Sequence, residues 1–153
     1  MQWRMAVLLC AAFVAVAGAG RVVLLPVQVL DTSGEAQDQR AAHAARAAAV
    51  ADELAGALSA TGREVAVVAR EEMAARCPGR APRCLLDLVR EKGGAEVLLA
   101  SVHKSSSLIL TLHAQLVDPA ADRVVLSREL SFRGDTDEAW THAARFLGKE
   151  LAR

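Results

Sequence analysis

The apolar positions change their period along the chain, and each change marks an element. In "LILTLHAQLV", Leu108, Leu110, Leu112, Ala114 and Leu116 face one way and Thr111, His113 and Gln115 the other. That two-residue period is the mark of a strand with one buried face. "AEVLLASVHK" before it and "RVVLSRELSF" after it read as strands too, joined through "SSS" and "DPAAD". Turn residues at both joins predict a three-stranded antiparallel meander. Upstream, the apolar run from Arg21 to Leu30 reads as a buried strand ending in "DTSGE". Pro26 removes one backbone donor from it, so an edge position or a bulge is expected there.

Between these regions the period lengthens. "AQDQRAAHAARAAAVADELAGALSATG" is rich in alanine, the best helix former, with Val50, Leu54 and Leu58 as an apolar ridge. Gly62 stands where a C-cap is expected. A strand follows over Glu64 to Arg70. Strand, long helix and strand form a crossover unit, expected to be right-handed with parallel strands. Residues 71–94 read as a short helix, a loop and a second helix carrying Leu85, Leu86, Leu88 and Val89. After the meander, Trp140, Ala144, Leu147 and Leu151 recur at helical spacing. The fold class is therefore α/β with a mixed sheet: strand–long helix–strand crossover, helical insert, antiparallel meander, C-terminal helix.

The first residues belong to a different pattern. Arg4, an apolar run from Met5 to Ala17 and small residues at Ala17-Gly18-Ala19 follow the plan of a secretory signal. A cleaved leader over 1–19 leaves one domain over 20–153 and places it in the periplasm. The competing reading is an uncleaved amino-terminal anchor in the inner membrane. After cleavage no stable membrane span is expected, since the run is shorter than the ~20 residues a spanning helix needs. Cys77 and Cys84 then remain, in "RCPGRAPRC". In an oxidising compartment such a pair forms a structural disulfide. The alternatives are redox chemistry, which wants a C-x-x-C spacing, and metal binding, which would need two more ligands.

Charge narrows the function. Lysine plus arginine number 18 against 18 acids, and loss of the leader removes only Arg4. A neutral chain gives no electrostatic case for nucleic acid. Two tryptophans, three phenylalanines and no tyrosine offer few base-stacking platforms. No phosphate-binding glycine loop, nucleophile elbow or cofactor motif is present, so no cofactor is expected. His43, His103, His113 and His142 do not fall at ligand spacing, and no metal site is expected.

"FRGDTDEAW" holds the densest chemistry. Asp135 with Glu138 three residues later reads as a capping box, and Asp137 and Glu138 favour a first helical turn. The enzymatic alternative is hydrolysis through Asp135, Asp137 and His142. A further alternative is capture of a small anion near Arg76, Arg80 and Arg83.

"VVLLPVQVLDTSGE", the hairpin from Lys104 to Leu110 and "RGDTDEAW" resemble a family of short, predicted-secreted proteobacterial proteins of unknown function. "LLPVQVLDTS" and "GGAEVLLASV" also look like the amino-terminal domain of TolB and CsgG-type lipoprotein domains, with Ser101 where their glycine usually stands. The resemblance implies a non-enzymatic module of the cell envelope that acts through an envelope protein partner, and it carries over no catalytic residue. The expected contact surface is the first loop, Asp31, Thr32 and Ser33, with the junction residues Arg133, Asp135 and Asp137.

Overall fold

The computed structural model describes residues 20–153, so the leader expected over 1–19 lies outside the described residues. The elements are β1 (Val22–Leu24), β2 (Gln28–Asp31), α1 (Arg40–Ser59), β3 (Val65–Val67), α2 (Arg70–Arg76) and α3 (Pro82–Glu91). They are followed by β4 (Glu96–Lys104), β5 (Ile109–Asp118), β6 (Arg123–Arg133) and α4 (Asp137–Leu151). The six strands form one mixed sheet in the order β3-β1-β4-β5-β6, with β2 also paired to β4.

β1 lies parallel to β3 on one side and to β4 on the other, as the crossover reading requires. β4, β5 and β6 are the antiparallel meander. The first strand is divided at Pro26, where one donor is missing, and β2 resumes beside β4 alone. Leu108, assigned above to the apolar face of its strand, instead sits 52% exposed in the β4–β5 turn. β3 is only three residues, because the chain turns into α2 at Arg70.

Two helices cover each face unequally. α1 and α4 lie over one whole face, where Leu24, Leu54, Leu98, Leu112, Trp140 and Leu147 belong to the larger core. On the opposite face, α2 and α3 cover only the β3-β1-β4 half, through Val23, Met73, Leu88 and Val97. Cys77 and Cys84 are joined there, with Cα atoms 5.8 Å apart, tying the end of α2 to the start of α3. The uncovered half of that face carries Ser101, Thr111, His113, Ser127 and Ser131, by strand register.

Both ends of α1 differ from the expectation. The helix begins at Arg40, because Glu35 and Gln39 are drawn away to bind Lys104. It ends at Ala60, and Gly62 takes the left-handed φ of 83° two residues later.

α1 and α4 pack closely at Gly148. A Cβ placed there would stand 2.7 Å from the Ala57 Cβ, which has no rotamer to yield. Gly148→Ala should therefore cost a net ~1 kcal/mol, because overpacking of 1–3 kcal/mol outweighs the better helix propensity of alanine. A lowered urea midpoint with an unchanged m-value would show it.

Candidate functional site

The polar centre of the molecule is Lys104, at the last position of β4. It is in phase with Leu98, Ala100 and Val102, so the strand's pleat sends it into the core, where it is 0% exposed. A lone ammonium there would be severely penalised. All three of its donors are used: Nζ binds Gln39 Oε1 at 2.7 Å, Asp135 Oδ2 at 2.8 Å and Glu35.

Asp135 is the opposite pole. Its Oδ2 also accepts from Nε2 of His43 at 2.8 Å. Its Oδ1 accepts from Arg46 Nη1 at 2.7 Å and from Trp140 Nε1 at 2.9 Å. Four donors occupy the four acceptor positions of one carboxylate. Because an ionised carboxylate only accepts, the Nε2 of His43 carries the proton. The His43 ring stacks on Trp140, with centroids 5.6 Å apart.

The electrostatics follow from these contacts. Burial opposes ionisation of Asp135, but hydrogen bonds from His43, Lys104 and Trp140 outweigh it and hold the carboxyl at about 2. Burial likewise works against the Lys104 charge, yet hydrogen bonds to Asp135 and Glu35 raise its pKa. Asp31 is lowered by its hydrogen bonds from Ser33, and stands 3.9 Å from both Lys104 and His43.

The residues singled out in the sequence are distributed as follows. Asp31, Asp135 and Asp137 converge on this cluster, with Asp137 Oδ1 taking Arg46 Nε at 2.7 Å. Thr32 leaves it and bonds His103 on the other side of the sheet at 2.8 Å. Ser33 closes the turn on Asp31, and Arg133 is exposed on the outer strand opposite Ile109.

Asp135 does not cap α4. Thr136 does, its hydroxyl accepting from the Ala139 amide at 3.2 Å, because the aspartate is committed inward. Asp137 and Glu138 occupy the first turn. His142 is exposed beside Arg133 and Glu138, and shares no hydrogen bond with Asp135 or Asp137 among the described residues. Of the three arginines near the disulfide, Arg76 pairs with Glu91, while Arg80 lines a separate cleft on the α1 side.

As a group, His43, Arg46, Lys104, Glu35 and Gln39 form no motif in the sequence. The available signal was phase: His43 stands in register with Ala47, Val50 and Leu54 on α1, as Lys104 does with its strand.

A mixed α/β domain whose sheet end is locked by a buried ionic cluster is the class that these features define. The chain belongs to the family described as "Protein of unknown function (DUF2380)", whose model DUF3280 matches residues 20–151. No curated protein matches it. Among solved structures it is similar to a PelC dodecamer from Paraburkholderia phytofirmans, at 14% identity over 86% of this chain and 86% of that chain, with a TM-score of 0.56. It is similar also to a protein described as a neuraminyllactose-binding hemagglutinin homolog from Helicobacter pylori, at 14% identity over 87% and 86% of the chains, TM-score 0.52. At these identities the likeness is one of fold. Among the described residues, no helix is long and apolar enough to cross a membrane.

Proposed function

We propose that the protein is a non-enzymatic accessory module of the bacterial cell envelope, exported by its leader to the periplasm and acting by contact with another envelope protein. The observation that carries this reading is an apolar patch at one end of the sheet. Leu30, Leu108 and Ile109 are 58%, 52% and 45% exposed there. Register puts Leu30 and Ile109 on the same open face, and Arg133 stands opposite Ile109. Large apolar side chains gathered at one place on a surface mark contact sites. Thr32 and Ser33 follow Leu30 in the first loop and Arg133 stands opposite Ile109, while Asp31 and Asp135 hold the two loops in position from within and Asp137 is held toward α1 by Arg46. The PelC relative is a dodecamer, and that likeness of fold supports a role in assembly. The saturated Asp135 supports the non-enzymatic reading, since no lone pair is left to take a proton from a substrate.

The test is crosslinking in cells with the tagged protein, followed by mass spectrometry of wild type and of Leu30→Ser/Leu108→Ser/Ile109→Ser. One envelope protein, or a second copy of this chain, should be recovered with the wild type and lost with the variant. The variant's melting temperature should stay within a few degrees, because the substituted side chains are already in water. Recovery of the same partner with the variant, or of the free protein alone while controls work, would overturn the reading.

A further inference from the structure

A second feature lies on the other side of β2, away from the apolar patch. β1 is the point at which the sheet's connections change face. From the β1–β2 segment the chain crosses over α1 to β3, and from β3 it returns through α2 and α3, on the opposite face, to β4. In open α/β sheets a crevice opens at the carboxyl ends of strands at such a switch point, and ligands bind there. Here the crevice is widened by Pro26, where β2 leaves β3 behind.

The crevice is a cavity of about 460 Å³ between the β1–β2 segment, the start of α1 and the α2–disulfide loop. Val27, Val29, Ala44 and Met73 line it, and Arg40, Arg70 and Arg80 stand around it. A second hollow of about 440 Å³ shares Pro26, Val27, Ala44 and Arg70 with the first, and runs on along Ala47, Ala48 and Ala51 of α1. Each volume falls within the usual range of small-molecule sites. The alanines that make α1 a strong helix also make its outer flank shallow, so they floor a trough.

The arginines are not equivalent. Arg40 is neutralised by Asp38, with Nη2 to Oδ2 at 2.7 Å. Arg70 and Arg80 form no ion pair and no side-chain hydrogen bond among the described residues, although Arg21, Arg46, Arg63, Arg76 and Arg145 all find carboxylates. Arg80 is half-buried, with a left-handed φ of 50° and its amide bound to the Cys77 carbonyl at 2.9 Å. The disulfide holds that loop against the crevice. The other ionisable groups on this wall are engaged elsewhere: Asp31 with Ser33 and His43 with Asp135. Asp52 and Glu71 line the second hollow, Glu71 next to Arg70 and Asp52 farther along α1.

We infer that this crevice binds a small amphiphilic anion, a carboxylate or phosphate monoester head between Arg70 and Arg80 with an apolar tail along the alanine trough of α1. Two unpaired guanidiniums supply the charge-assisted hydrogen bonds that such a head needs. Asp52, farther along α1, sets the direction, head toward the disulfide loop and tail away from it. The site shares no residue with the apolar patch proposed above and stands or falls independently of it.

Octyl phosphate, used below its micellar concentration, is the probe, with inorganic phosphate and uncharged octyl glucoside as comparisons. In calorimetric titration octyl phosphate should bind saturably at one site and raise the melting temperature as its concentration passes Kd. Inorganic phosphate should bind at least about tenfold more weakly, and octyl glucoside not at all, as loss of either half of the contact costs about 1.4 kcal/mol or more. Arg70→Ala/Arg80→Gly should raise the Kd for octyl phosphate at least about tenfold, and the glycine suits the left-handed backbone at position 80. Ala48→Leu, which fills the trough from an exposed position, should weaken octyl phosphate and leave inorganic phosphate unchanged. Equal affinity for octyl phosphate and inorganic phosphate, octyl phosphate binding unaffected by either variant, or no binding up to millimolar concentration would each overturn the inference.

Discussion

Asp135→Ala should lower folding stability by about 3–5 kcal/mol, the cost of removing one partner from a buried ionic cluster. The loss comes less from the missing contacts than from what they leave behind. Lys104 is fully buried and would keep only Glu35 and Gln39, while the Trp140 indole N–H and the His43 Nε2 would have no acceptor. Asp135→Asn should cost nearly as much, since its amide turns two acceptor positions into donors that face donors. Trp140 is the sole tryptophan in residues 20–153, so its fluorescence in a urea titration reads the result directly. A loss below about 1 kcal/mol would mean that the cluster contributes no more than an exposed ion pair.

The same carboxylate contributes to the acid side of the stability profile. Its folded pKa, about 2, lies below its ordinary value of 3.8. Its contribution is therefore fully present above pH 4, and is lost as the pH falls through about 2. Wild type should lose stability over that window, and Asp135→Ala should show a shallower slope there. Lys104 acts with the opposite sign. Its pKa is raised, so its contribution is present below its ordinary 10.5 and lost as the pH rises through the folded value.

Trp140→Ala carries the second large effect, about 3–5 kcal/mol, as for other buried aromatic truncations. The indole is 1% exposed, stacked with His43 and edge-on to Phe132 at 6.3 Å. Its removal opens a cavity between α1, α4 and the sheet and deprives Asp135 of a donor. Trp140→Phe separates the two losses: it fills much of the volume and should cost roughly 1–3 kcal/mol, mainly for the indole N–H. Because Trp140 and Asp135 touch, their effects should not add. A double-mutant cycle should give a coupling of about 0.5–3 kcal/mol, and strict additivity would deny that they form one unit.

Much of this architecture is written in period alone. Alternation in the β5 segment, turn residues at both its ends and the alanine-rich helix between two apolar runs suffice for the meander and the parallel crossover. The disulfide follows from two cysteines flanking a Pro/Gly loop. The ionic cluster leaves a fainter mark in the sequence, because its members come from separate elements and each has an ordinary local use. Lys104 reads as the start of the turn "KSSS", although its phase with Leu98, Ala100 and Val102 points inward. Asp135 and Thr136 both suit a helix start, and burial decides between them by sending the aspartate to the lysine. The crevice at the switch point is further still from the sequence, since it exists only where β2 and β3 part.

The cluster also has a consequence in time. His43 and Asp135 are 92 residues apart, and Lys104 and Glu35 are 69 apart. Lys104 and Asp135 are 31 residues apart, so until the segment that leads into α4 is in place, one of the two carboxylates bound to Lys104 is missing. Before α4 docks, the chain thus carries a charge that its own core penalises, which delays closure until α4 is present. Closure of the core should then wait on α4, because these pairings join residues far apart in the chain.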